Sequence, residues 1–159
     1  MIYTTYFGCL RRIPADVIPV SIAAKPPKWW DGLEYKKLAP SYGCLMDYKS
    51  GGNRDTYINR YYKETLEHLD PYETVYDIIE LLPSSTQLSI SMVNCPLWEN
   101  PHIHVALLCY EIPRDFCHRH IDRAWFTKYG VSCEEFRIGS HKCLDIDISK
   151  LIEKEKGGK

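Results

Sequence analysis

Ile103-His-Val-Ala-Leu-Leu-Cys109 is the stretch on which the fold of this 159-residue chain turns. Apart from His104 it is apolar at both parities, and a strand without a polar side is one covered on both faces. That is the pattern of a central strand in a parallel sheet, which needs helices and further parallel strands around it. Downstream, Phe116, His120, Ala124 and Tyr129, with Ile121 and Trp125 beside them, trace one broad helical stripe. Gly130 stands where such a helix closes. Cys133 to Ile138 then reads as a short last strand.

Upstream, Ile2 to Cys9 is rich in Tyr, Thr and Phe, and Val17 to Ala23 is almost continuously apolar before Lys25-Pro26-Pro27. Both read as strands. Lys25 to Asn53 carries prolines, glycines, Trp29-Trp30 and Leu38-Ala-Pro-Ser41 with little periodicity, which predicts a long, structured surface loop with short helical turns. From Arg54, the spacing of Ile58, Tyr62, Leu66 and Leu69 predicts a helix that Asp70-Pro71 stops. Asp70 caps a second helix, with Pro71 in its first turn and Val75, Ile78, Ile79 and Leu82 as its stripe. Pro83 ends it. Gln87 to Val93 alternates as a half-buried strand does, Asn94 to Pro101 reads as loop, and the charged tail Lys150 to Lys159 is expected to fray.

These elements predict an α/β fold: a single three-layer domain, residues 1–138, with a mostly parallel sheet and flanking helices. Residues 139–159 are expected to form a partly disordered C-terminal extension. The net charge of −1 gives no global pull toward nucleic acid or an anionic membrane. No stretch reaches the roughly 20 apolar residues of a membrane helix, and the amino terminus lacks the basic flank of a signal peptide. Seven cysteines, odd in number and never spaced C-x-x-C, point to reduced thiols and a cytoplasmic setting.

The chemistry concentrates after the central strand. Within a dozen residues the chain places Cys109, Glu111, Cys117, His118, Arg119 and His120. In open parallel sheets ligands bind at the carboxyl ends of the strands, and a helix start adds free N–H groups and a positive dipole end. A thiol there has its pKa lowered, which makes Cys117 a candidate nucleophile with His118 as its partner. Glu111 is a candidate acid or base, or equally a helix cap or a structural partner for Arg119. Cys109, at the end of a buried strand, reads first as a small core residue and only second as a reactive one. Trp29 and Trp30 read as packing, or as a platform for a planar ligand.

Two sharper patterns fit poorly. Cys117 and Arg123 have the C-x5-R spacing of oxyanion loops, but no glycine lies between them to turn the amides inward. Cys109, Cys117, His118 and His120, with His102 or His104, are zinc ligand types. Their spacing matches no compact zinc pattern, and His118 and His120 on one helix stand about 200° apart. Zinc is the one cofactor these residue types suggest, and no other has a signature. Neither a Walker loop nor G-x-G-x-x-G is present.

The run Val105-Ala-Leu-Leu-Cys-Tyr-Glu-Ile-Pro-Arg-Asp-Phe-Cys-His-Arg-His120 resembles the signature of the domain-of-unknown-function 488 family, a Leu-Leu-Cys-x-Glu strand end followed by Cys-His-Arg. Trp29-Trp30, Leu38-Ala-Pro-Ser41, Tyr57, Tyr61 to Glu64 and Leu69-Asp70 extend the resemblance over most of residues 1–138. It implies a compact α/β fold with a site around Cys109, Glu111, Cys117, His118 and Arg119. It implies no reaction.

The expectation for function is therefore an enzyme or binder of an anionic small molecule, of nucleotide or nucleobase type. Glu111, Cys117 and His118 would carry the chemistry, and Cys109, Arg119, His120, Trp29 and Trp30 would hold the substrate. One alternative is a non-catalytic binding or protein-interaction module in which the same residues form a structural polar network. Another is a nucleic-acid-binding protein using Arg11-Arg12, Lys25, Lys28 and Lys36-Lys37.

Overall fold

In the computed structural model, residues 1–84, 86–87, 104–136 and 144–156 are described. Among the described residues the strands are β1 (Ile2–Tyr6), β2 (Val17–Ser21), β3 (Leu33–Glu34), β4 (His104–Cys109) and β5 (Cys133–Glu135). They form one all-parallel sheet of order β3-β2-β4-β1-β5. The apolar run that anchored the reading is thus the middle strand, paired with β1 from Ile2↔Val105 to Tyr6↔Cys109 and with β2 from Val17↔His104 to Ser21↔Leu108. Its side chains Val105 to Leu108 are all buried, as a strand apolar at both parities requires. The chain is a single α/β domain.

Helices flank the sheet: α1 (Tyr42–Lys49), α2 (Arg54–Glu64), α3 (Pro71–Glu80), α4 (His118–Lys128) and α5 (Ser149–Lys156). Their starts follow the capping chemistry of the sequence. Ser41 accepts from Cys44 N at α1, Asn53 from Asp55 N and Thr56 N at α2, and Asp70 from Tyr72 N and Glu73 N at α3. Gly130, at φ +81°, supplies the left-handed turn after α4. One face of the sheet, with Ile2, Val20, Val105 and Leu107, shares a buried cluster with Tyr57, Tyr61, Leu66, Val75, Ile78, Ile121, Trp125 and Phe126.

Several boundaries differ from expectation. The strand read over Ile2 to Cys9 ends at Tyr6, and residues 7–12 coil into a 3-10 helix. The region read as a long loop contains β3 and the two-turn helix α1. The helix expected to run to Leu69 breaks after Glu64, and Leu66–His68 form a 3-10 turn that still buries Leu66. The tail also differs from a frayed end: Ile148 and Ile152 are buried in the main cluster, where an apolar pair one turn apart outweighs the surrounding charge. Of the strand read at Gln87 to Val93 only Gln87 is described, and there it stands in a helical turn with its N–H donating to Pro83 O; residues 88–93, the loop at Asn94 to Pro101, Ile138 and the last three residues lie outside the described residues. No described helix is long and apolar enough to cross a membrane.

Candidate functional site

The carboxyl ends of β1, β2 and β4 lie side by side, and the chain leaves β4 through a short turn closed by Asp115 N donating to Ile112 O. Cys117 follows in extended geometry (φ −150°, ψ 152°) and α4 starts at His118. The backbone thereby brings the last residue of β4 against the first turn of α4. Cys109 Sγ lies 3.7 Å from His118 Nδ1 and 3.8 Å from Glu111 Oε2, and Cys117 Sγ lies 3.7 Å from the same His118 Nδ1. Cys109, Cys117 and His118 are buried, while Glu111 is only partly covered and forms the outward side of the group.

The far side of the imidazole is fixed by the backbone. His118 Nε2 lies 3.1 Å from the carbonyl oxygen of Ile22, just beyond β2. A carbonyl only accepts, so Nε2 carries the proton and Nδ1 is the nitrogen turned to both sulfurs.

Charge follows this geometry. Burial opposes a Cys117 thiolate, but a hydrogen bond from Cys109, the His118 imidazole and the Arg119 charge together hold that thiol well below its usual value. Cys109 moves the other way, because it hydrogen-bonds to Cys117 and is itself buried. His118 is opposed by burial and raised to about 9 by the neighbouring Cys117. Glu111 is pushed up to about 7, first by burial and then by Cys117, so it exchanges its proton near neutrality.

Arg119 and His120 belong to a different cluster. Arg119 is 0% exposed and donates to Glu135 from Nε at 3.1 and 3.4 Å and from Nη2 at 3.0 Å. Thr4 Oγ1 donates to the other Glu135 oxygen at 2.5 Å. The Arg119 partner is thus Glu135 on β5, and the pairing with Glu111 considered from sequence does not form. His120 is buried, and its Nδ1 accepts from Cys117 N at 3.3 Å, closing the helix start. Burial and the Arg119 charge hold it neutral, with its pKa lowered to about 3. Both residues stand behind the sulfur group; the unpartnered Arg119 Nη1 is the one guanidinium nitrogen left over.

A third group lies deeper along α4. The Tyr61 hydroxyl sits 2.8 Å from Leu38 O and 2.6 Å from Asp122 Oδ1. One phenolic proton cannot serve two acceptors. A protonated Asp122 resolves this by donating to Tyr61, which donates to Leu38, and burial does push Asp122 up to about 7.

At the rim, Phe7 meets Trp29, Trp30 and Tyr110 at centroid distances of 5.8, 5.5 and 5.3 Å. Trp30 packs on the cluster that holds Cys109 and Cys117, whereas Trp29 is 62% exposed. Packing and an open aromatic face thus both occur in one pair. Arg123 turns away to Leu144 O and Asp145, so Cys117 and Arg123 form no oxyanion loop. His104 lies at the opposite end of β4, about 16 Å along the strand from Cys109, and contributes nothing to the sulfur group.

Sequence reasoning missed Glu135, Asp122 and the Ile22 carbonyl. Glu135 carried a usable signal, a carboxylate at the same parity as the apolar Cys133 in a short strand, and Asp122 sat within an apolar helical stripe. The carbonyl had none, because any residue offers one. No family model, curated protein or solved structure matches this chain.

Proposed function

We propose that this chain is a small enzyme acting on an anionic molecule of nucleotide or nucleobase type at the ends of β1, β2 and β4. One observation carries the reading: two thiols, an imidazole and a carboxylate with a near-neutral pKa converge where a parallel sheet meets a helix start. Cys117, ionised against His118, is the nucleophile, and Glu111 on the open side delivers or removes the proton. The α4 N-terminus favours a negatively charged substrate group, the buried Arg119 adds positive charge from behind it without contact, and the exposed face of Trp29 suits a planar ring. The resemblance to the domain-of-unknown-function 488 family falls on the same residues. The five described cysteines are all free, which fits a reducing, cytoplasmic setting.

The test is a turnover screen of nucleotides, nucleosides and nucleobases with the metal-stripped wild type, Cys117→Ser and Glu111→Gln. The wild type is expected to convert at least one compound, with conversion abolished in Cys117→Ser and slowed roughly 10²- to 10⁴-fold in Glu111→Gln. Folded wild type that converts none of them, or variants as active as wild type, would overturn the proposal.

A further inference from the structure

The sulfur group has a second chemical meaning that goes beyond the proposed reaction and does not depend on it. Cys109 Sγ, Cys117 Sγ and His118 Nδ1 lie within 4.8 Å of one another, on the end of one strand and the start of one helix. We propose that these three atoms bind one zinc ion, and that the Glu111 carboxylate, whose Oε2 already lies 3.8 Å from Cys109 Sγ, turns inward to supply the fourth ligand.

The spacing between donors is that of ligands around a shared tetrahedral ion. Zinc–sulfur bonds of about 2.3 Å and a zinc–nitrogen bond of about 2.0 Å at tetrahedral angles set sulfur and nitrogen about 3.5 Å apart. Both sulfurs stand 3.7 Å from His118 Nδ1, and Glu111 Oε2 stands 3.8 Å from Cys109 Sγ. Separations of this size are also those of sulfur hydrogen bonds; what marks a ligand set is that both sulfurs address the same imidazole nitrogen.

The surroundings are also those of a metal ligand set. A ligating histidine donates its second ring N–H to a carbonyl or carboxylate, which fixes the tautomer and aims the other nitrogen at the ion. The contact between His118 Nε2 and Ile22 O does this. Glu111 is the only partly covered member of the four, so the fourth position lies on the outer side, where an ion can enter. Thiolate and imidazole together select zinc over magnesium or calcium, which take oxygen ligands. Of the set Cys109, Cys117, His118 and His120, the last member stands apart: its Nδ1 is taken by the Cys117 backbone and its Nε2 is turned toward Glu135, 4.0 Å away.

Zinc and the free nucleophile exclude one another. A Cys117 thiolate bonded to zinc cannot attack a substrate, so zinc would also silence the proposed reaction.

The test is a cobalt(II) titration of the reduced, metal-stripped full chain, because tetrahedral cobalt bound to thiolate gives sulfur-to-cobalt charge-transfer bands and intense visible bands. The expected result is saturation at about one ion per chain, with the bands lost on adding zinc. Cys109→Ala and Cys117→Ala should each lower the charge-transfer intensity, and Cys133→Ala should leave it unchanged. Glu111→Gln should keep the sulfur bands and weaken binding roughly tenfold or more. Circular dichroism of each variant establishes that it is folded; if the cysteine variants unfold, the wild-type titration and Glu111→Gln decide alone. Folded, reduced wild type without sulfur–cobalt bands overturns the site, as do folded Cys109→Ala and Cys117→Ala proteins with wild-type spectra. Failure here leaves the turnover screen on metal-stripped protein unaffected, so the two proposals stand or fall separately.

Discussion

His118 and Arg119 are neighbours on the first turn of α4, yet they reach toward opposite edges of the sheet and into clusters of opposite character. Arg119 runs to Glu135 on β5, where one guanidinium meets one carboxylate that Thr4 also serves. His118 runs to Ile22 beyond β2 and faces two thiols and, across Cys109, a carboxylate. The first cluster balances its own charge. The second gathers two thiols around one imidazole and depends on His118 and the nearby Arg119 charge for its balance. A closed ion pair holds a corner together; a convergent set of thiol, imidazole and carboxylate is ready for a substrate or a metal.

The contrast breaks most readily on the Arg119 side. Glu135→Ala leaves a fully buried guanidinium without its counter-ion and is expected to destabilise the fold by about 3–5 kcal/mol in urea denaturation. Combining Arg119→Met with Glu135→Leu should cost clearly less than that single change, because no charge is then stranded. A single-variant cost below about 1 kcal/mol would show that the pair does not hold the corner.

Asp122, one turn further along α4, gives an effect that depends on pH. The fold keeps its proton up to about pH 7, whereas the unfolded chain releases it near pH 4. Its contribution to stability is therefore full below about pH 4 and is lost as pH rises through 7. Asp122→Asn, which cannot ionise, should gain on the wild type by up to a few kcal/mol between pH 4 and pH 8. A pH-independent difference between the two proteins would show that Asp122 is ionised in the fold.

On the His118 side, stability and function should separate. Glu111→Gln in metal-stripped protein is expected to move the urea midpoint by less than about 1 kcal/mol while impairing turnover and metal binding. A large loss of stability would place Glu111 with Arg119 as scaffolding. Smallest of all, Trp29→Ala should change stability by no more than about 0.5 kcal/mol while weakening the binding of a planar ligand. Equal binding by both proteins would remove Trp29 from the site.

Much of this was legible in the chain. The apolar run ending at Cys109 gave the central strand because a buried parallel strand cannot afford a polar side. Asp70-Pro71 and Gly130 marked helix ends because caps are local chemistry between near neighbours. The grouping of Cys109, Glu111, Cys117 and His118 was legible because one turn joins them. Arg119 was misplaced for the opposite reason: its partner lies 16 residues on, in a strand whose register only the finished sheet fixes. The same limit hid the Ile22 carbonyl, 96 positions from His118. It also made a zinc reading from spacing alone look poor, since the ligands converge through the fold rather than through a compact motif.

The most direct measurement is a time course of alkylation, followed by mass spectrometry, on reduced and metal-stripped protein at neutral pH. Cys117 should be modified well ahead of Cys44 and Cys133, whose thiols burial pushes up. Modification of Cys117 no faster than that of Cys133 would contradict the account, leaving the corner as structure alone.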